Sequence, residues 1–192
     1  EAVATCERIS EAFLIPVLAE ILASFPFVIL GFHVDNGSEY INRHVAELLN
    51  KLLIEEFTKS RSRHSNDNAQ VESKNGAIVR KHLGYSHIAQ RFAALVNAFD
   101  SEYLNPYVNF HRPCLFATEL PDPKKPGRIK RVYRSRDAMT PLDKLASLPD
   151  AASFLRPGFT LLELQQLARA LTDVQAAEEL AEARQTLFSK VP

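Results

Sequence analysis

Two acidic side chains, far apart along the chain, are the residues best suited to chemistry. Asp35 follows the apolar run Phe27 to Val34, and 36 residues lie between Asp35 and Glu72. Carboxylates at the end of a buried strand and on a later helix can meet at one point, where their mutual repulsion favours a bound divalent cation. Oxygen ligands suit Mg²⁺ or Mn²⁺, and a pair of such ions can promote phosphoryl transfer. The pattern predicts a metal site formed by Asp35 and Glu72.

The neighbours of both acids form two motifs. The first is Asp35-Asn36-Gly37-Ser38-Glu39-Tyr40, and the second is Asn68-Ala69-Gln70-Val71-Glu72-Ser73-Lys74-Asn75. With these motifs the chain resembles the catalytic core of DDE-type transposases and retroviral-type integrases, over roughly residues 1–115. The resemblance implies an RNase H-like fold, two Mg²⁺ or Mn²⁺ ions, and catalytic and metal-binding roles for Asp35 and Glu72. It also implies DNA integration and transposition, by strand cleavage and strand transfer on element ends and target duplex, carried out by a homo-oligomer.

The first acid of that family has no counterpart in this sequence. In the family it lies on the first strand of the sheet, well before the second acid, whereas only 34 residues precede Asp35. We therefore expect an RNase H-like α/β core that lacks its first strands, from a truncated or decayed sequence. A site that lacks one of its fixed ligands should bind metal weakly, so we expect this chain alone to be inactive as a polynucleotidyl transferase.

Hydrophobic periodicity predicts the elements that must position Asp35. Helical spacing covers residues 2–24, where Pro16 should kink or divide the helix. Residues 27–34 are typical of a strand buried on both faces, and a turn, a helix over residues 39–54 and a short strand at residues 56–58 follow. In α/β proteins the crevice beyond the carboxyl ends of strands binds ligands, so the position of Asp35 suits a site.

The region around Glu72 is predicted to be helical and basic. A long helical pattern runs over residues 69–99 after a polar basic loop at residues 59–68, with weak points at Gly76 and Gly84. Residues 106–113, rich in proline and aromatic side chains, should close the core.

Four residues near Glu72 are candidates for DNA contact. Asn68 would share a helix face with Glu72, and it either orients the carboxylate, contacts the substrate or caps the helix. Lys74, Arg80 and Lys81 lie within three turns of Glu72. Their side chains either reach DNA phosphates or form ordinary surface ion pairs.

A basic stripe follows the predicted core. Residues 116–140 are interpreted as a basic extension or linker whose candidate DNA-binding residues are Lys124, Lys125, Arg128, Lys130 and Arg131. Cations of this kind bind phosphates in a salt-dependent manner and carry no sequence information by themselves. The alternative interpretation is a solvated linker. Residues 141–192 form a helical carboxy-terminal region, with an amphipathic pattern over residues 160–188 that breaks near Thr172 and whose acidic residues favour packing or self-association over DNA reading.

Composition narrows the class of protein further. The chain has 192 residues, of which 46% are hydrophobic, and its 23 basic side chains balance 23 acidic ones. Overall charge therefore does not indicate a nucleic-acid partner, and only the distribution of charge can do so. Two cysteines are too few for a disulfide framework, and the apolar run at residues 12–22 is too short to span a membrane. We expect a cytoplasmic protein, associated with the nucleoid if it is bacterial.

Three other functions remain compatible with the sequence. The chain could be a DNA-binding remnant that no longer cuts strands, a helical interaction module, or a nuclease of the same fold that cuts without joining. Strand cleavage by the chain would exclude the remnant. Binding that survives charge reversal of Lys124, Lys125, Lys130 and Arg131 would discredit the DNA role of the basic stripe and favour the interaction module.

Overall fold

A computed structural model describes residues 1–34, 43–51, 54, 56–59, 75–125 and 127–191. In this part of the chain the α-helices α1 to α7 cover Glu11–Ser24, Arg43–Lys51, Lys81–Leu83, Ala93–Phe99, Pro141–Ala146, Leu161–Arg169 and Asp173–Lys190. The strands β1 to β4 cover Gly31–Val34, Glu56–Lys59, Cys114–Pro121 and Ile129–Met139. Shorter π-helical stretches occupy Asn75–Arg80, Asp100–Leu104 and Tyr107–His111, and 3-10 turns occupy Gln90–Phe92 and Ala151–Phe154. The chain therefore combines helices and strands, as the sequence predicts.

The chain divides into two compact units. One comprises Ala2–Ser101 with Ala183–Pro192, and the other comprises Glu102–Glu182 with Glu1. None of the described helices has both the length and the apolar character required to cross a membrane.

The first unit contains a strand-helix-strand arrangement. β1 and β2 pair in parallel, with Gly31 opposite Glu56, and α2 lies between them in the sequence. A tight turn between two strands makes them antiparallel, so parallel neighbours need a longer crossover connection such as α2. The two helices α1 and α2 bury a shared cluster, against which Phe32 of β1 packs, and its members are Leu18, Leu22, Val45, Leu49 and Ile54. The predicted strand at residues 56–58 is confirmed.

Two predictions about the amino-terminal region are wrong in detail. The helix begins at Glu11 instead of residue 2, because the preceding segment is bonded to Asn97, whose side-chain oxygen accepts from the Thr5 amide at 2.7 Å. The helix also continues through Pro16, so the predicted division there is wrong, and the alternative of a kink stays a prediction. Proline in a helix interior costs roughly 3 kcal/mol, and burial of Leu14, Leu18 and Leu22 on one face offsets this cost.

The predicted strand at residues 27–34 is shorter and more exposed than expected. Only Gly31–Val34 is paired as a strand, and Leu30 is 63% exposed while Val34 is 6% exposed. The prediction of burial on both faces is wrong, since Gly31 and His33 are exposed and Phe32 is half-buried, whereas Val34 is buried.

The first helical segment after residue 75 ends at Gly84. This glycine has a φ of 80°, a left-handed conformation that residues with a Cβ rarely adopt, so the predicted break there is confirmed. Gly76 lies inside the π-helical stretch and does not interrupt it. Beyond the 3-10 turn, α4 and the two π-helical stretches bury Val96, Phe99, Leu104 and Val108.

The second unit contains an antiparallel ribbon and most of the helical tail. β3 and β4 pair with each other, and Thr140 then caps α5 by accepting from the Asp143 amide. Thr160 forms a capping box with Glu163 at the start of α6. The tail helix breaks between Arg169 and Asp173, as predicted. Its predicted apolar face is only partly buried, because Leu164 and Leu180 are buried whereas Leu167 is exposed.

Candidate nucleic-acid interface

The predicted metal site lies outside the described residues. Asp35, Glu72, Asn68 and Lys74 all fall in the ranges that the structure does not describe, so their meeting point stays a prediction. The strand that leads to Asp35 is described, and its last residue, Val34, is buried. Because β1 and β2 are parallel, their carboxyl ends, Val34 and Lys59, lie at the same edge of the sheet. Asp35 is the next residue in the sequence after Val34. Side chains near this edge connect the strands: His33 Nδ1 lies 2.8 Å from Thr58 Oγ1.

The described residues contain no metal-ligand cluster of their own. In the described ranges, no three histidine, cysteine, aspartate or glutamate side chains gather closely enough to hold an ion. The carboxylate oxygens of Asp35 and Glu72 are the donor type that Mg²⁺ and Mn²⁺ prefer. Asp35 and Glu72 therefore have the ligand atoms that a Mg²⁺ or Mn²⁺ ion requires.

Arg80 and Lys81, two of the predicted DNA-binding residues, lie on the protein surface. Arg80 ends the π-helical stretch and Lys81 begins α3, and both side chains are exposed. The Arg80 guanidinium carbon lies 5.6 Å from the centre of the Tyr85 ring, which is itself exposed. This cation–π contact orients the guanidinium. Breaking the contact costs only about 0.5–1 kcal/mol at an exposed site. Both cations are therefore accessible to an anionic partner.

The remaining predicted DNA-binding residues lie on the β3–β4 ribbon, where the sequence predicted a basic extension or linker. Lys124, Lys125 and Arg128 occupy its turn, and Lys130 and Arg131 follow on β4. The turn is closed by backbone bonds, since the Asp122 amide donates to the Arg128 carbonyl at 2.8 Å. The Asp122 carboxylate accepts from the Lys124 amide, and Gly127 takes a φ of 81°. These local bonds hold three cations at one end of the ribbon.

Ion pairs engage some of the basic side chains on β4. Arg131 Nε lies 3.2 Å from Glu119 Oε1, its partner across the ladder, and Arg136 Nε lies 3.8 Å from Asp137 Oδ1. Both arginines are largely exposed, so these pairs contribute about 0–1 kcal/mol each and salt weakens them. Lys124, Lys125 and Lys130 have no carboxylate partner among the described residues.

Sequence reasoning missed the exposed apolar residues of the ribbon. Ile129 is 67% exposed and Tyr133 is 61% exposed, although both are of types usually buried. The β-branched and aromatic residues Ile129, Val132 and Tyr133, interspersed with basic ones, were a signal for a strand. It was overlooked because the basic composition of this segment suggested a linker.

A second missed residue is Asp100, at the start of a π-helical stretch in the first unit. It is 1% exposed, and neither carboxylate oxygen has a hydrogen-bond partner among the residues that the structure describes. Desolvation raises the pKa of Asp100 to about 7. No sequence motif surrounds this acid, so its burial could not be foreseen.

Comparisons with known proteins give little guidance. No protein-family model matches the chain, and no solved structure matches it. The chain is 38% identical over 101 residues to a Sinorhizobium fredii protein named "Uncharacterized protein y4rM". The aligned part covers 52% of this chain and 28% of that protein, so the chain spans only a minor part of the relative that it matches.

Proposed function

We propose that this chain is part of a DNA strand-transfer enzyme that resembles DDE-type transposases and retroviral-type integrases. The observation that carries the proposal is the pair of motifs around Asp35 and Glu72, separated by 36 residues. The parallel arrangement of β1 and β2 supports it, because Asp35 follows the carboxyl end of β1, where α/β proteins bind ligands. An RNase H-like core is the fold that belongs to this proposal.

Asp35 and Glu72 have the role of metal ligands in this proposal. Bound Mg²⁺ or Mn²⁺ ions would activate the attacking oxygen and stabilise the leaving oxygen of a phosphodiester. The two carboxylates supply fixed negative charge and oxygen donors for these ions. Asn68, four residues before Glu72, orients that carboxylate if both residues lie on one helix.

The DNA partner is proposed from the distribution of charge. The exposed cations Arg80, Lys81, Lys124, Lys125 and Lys130 provide phosphate contacts in both units of the chain. Each neutralised phosphate releases counterions, so binding of this kind falls steeply with salt. The remaining charges of the chain balance this positive surface, which explains why the overall charge is zero.

Strand transfer is tested with the complete product of the gene. The assay mixes a labelled duplex that carries the end of the mobile element with a target plasmid and Mg²⁺, and measures nicked and joined products. We expect Asp35→Asn and Glu72→Gln each to abolish both products while duplex binding persists. Glu56→Gln is the matched control, because Glu56 is an exposed acid at the opposite end of the paired strands.

Two results would contradict the proposal. If Asp35→Asn and Glu72→Gln leave cleavage and joining at wild-type rates, these carboxylates do not hold the catalytic ions. Cleavage without any joined product would instead indicate a nuclease.

A further inference from the structure

The β3–β4 ribbon has two faces of different character. Paired residues of an antiparallel ladder lie on the same face, and successive residues of a strand alternate between faces. The pairs Pro121 with Ile129, Glu119 with Arg131 and Ala117 with Tyr133 therefore share one face. We name this the outer face. The pairs Leu120 with Lys130 and Thr118 with Val132 lie on the other face.

Burial distinguishes the two faces. Thr118, Leu120 and Val132 are half-buried on the second face, whereas Lys130, nearer the turn, is exposed. Phe116, at the irregularity of the ladder, is also half-buried, and the centre of its ring lies 5.7 Å from the Lys144 ammonium of α5. The outer face instead exposes Ile129, Arg131 and Tyr133. The ribbon is thus attached to its unit through one face and presents the other to solvent.

Charge indicates what kind of partner the whole ribbon, with its turn, would meet. Residues 119–137 contain seven basic and three acidic side chains, a net charge of +4 in a chain whose overall charge is zero. A polyanion is the complementary partner for such a segment. An apolar protein surface is a poorer partner, because Lys124 and Lys125 in the adjoining turn have no carboxylate partner among the described residues and would lose hydration against it.

The dimensions of the ribbon fit a groove of duplex DNA. The major groove is about 12 Å wide and admits a two-stranded β-ribbon. Alternate residues of a strand are roughly 6.8 Å apart, which matches about two base-pair steps of 3.4 Å. Ile129, Arg131 and Tyr133 therefore lie at a spacing suited to successive base edges. Arginine can donate to guanine, and apolar side chains can contact the thymine methyl group.

We propose that the β3–β4 ribbon enters the major groove of duplex DNA with its outer face, and that Ile129, Arg131 and Tyr133 contact base edges. Lys124, Lys125 and Arg128 in the turn hold the flanking phosphates. The weak pair between Arg131 and Glu119 opens so that the guanidinium reaches a base. This inference rests on the DNA partner of the proposed function and adds sequence readout, which phosphate contacts alone do not provide.

The test begins with the wild-type chain and a pool of duplexes with a randomised centre. Repeated selection yields a preferred sequence, and fluorescence anisotropy then compares the preferred with a scrambled duplex. Dimethyl sulfate footprinting reports protection of guanine N7, which lies in the major groove, and of adenine N3, which lies in the minor groove. We expect N7 protection at the preferred sequence.

Two sets of variants, one on the outer face and one in the turn, separate base readout from phosphate binding. Ile129→Ser, Arg131→Ala and Tyr133→Ala should each reduce the preference for the selected duplex by roughly fivefold or more and remove N7 protection. The triple variant Lys124→Ala/Lys125→Ala/Arg128→Ala should weaken binding to every duplex and lower the salt slope by about 2–3. Arg169→Ala, an exposed arginine of α6, is the matched charge control and should change neither measurement.

Folding is checked by circular dichroism, and Tyr133→Phe, which keeps the ring, should retain the sequence preference. Duplex binding without N7 protection, or an unchanged preference in all three outer-face variants, would overturn groove entry. Tighter binding to single-stranded DNA or RNA, or assembly of the chain with no DNA binding, would also overturn it. DNA readout by the ribbon in a gene product that transfers no strands would leave this inference intact and refute only the proposed enzymatic function.

Discussion

Replacing Asp100 by asparagine should remove a dependence of stability on pH that we expect of the wild-type chain between about pH 4 and pH 7. The carboxyl of Asp100 is buried with no hydrogen-bond partner in the described part of the chain, and desolvation raises its pKa from 3.8 to about 7. In this pH range the folded chain keeps a proton on Asp100 whereas the unfolded chain releases it. The free energy of unfolding therefore falls as pH rises through this range, and the loss is complete above pH 7.

The magnitude follows from the size of the pKa shift. A shift of about three units, at about 1.4 kcal/mol per unit, lowers the stability of the folded chain by about 4 kcal/mol between pH 4 and pH 8. The asparagine side chain of the variant stays neutral throughout. Its buried amide has its own desolvation cost, but that cost does not change with pH.

Urea unfolding followed by circular dichroism, repeated from pH 4 to pH 8, measures the effect. The difference in unfolding free energy between wild type and Asp100→Asn should change by about 4 kcal/mol in favour of the variant as pH rises. Glu102→Gln is the control, because Glu102 is exposed and only two residues away. Parallel pH profiles for wild type and Asp100→Asn would refute the assigned burial, as would a carbon NMR titration that places the pKa of Asp100 near 4.

Two further predictions concern stability. Leu49→Ala removes most of a buried side chain from the cluster shared by α1 and α2, and it should lower the unfolding free energy by about 2–5 kcal/mol in urea titrations. Leu30→Ala is the control and should have little effect, because Leu30 is exposed. Equal losses in the two variants would contradict the assigned core. Thr160→Ala removes the capping box of α6 and should cost about 1 kcal/mol in thermal unfolding, while Thr160→Ser should retain most of the stability. A Thr160→Ser variant as unstable as Thr160→Ala would show that the hydroxyl does not cap the helix.

Much of the local structure was predictable from short stretches of sequence. The strand at residues 56–58, the break at Gly84 and the division of the tail near Thr172 were predicted correctly. Such features depend on backbone conformations and on neighbours only a few residues away. The start of α1 was missed because Asn97, far along the chain, bonds to the backbone of Thr5.

The candidate site divides in the same way. The sequence by itself determined the two acidic motifs, their separation and the cluster of cations after the core, since these are properties of residue order and type. Only the tertiary structure decided that this cluster forms a two-stranded ribbon, because the pairing of β3 with β4 sets which side chains share a face. Tertiary structure also decided the burial of Asp100, because the surrounding residues that exclude water come from packing, which residue order does not reveal.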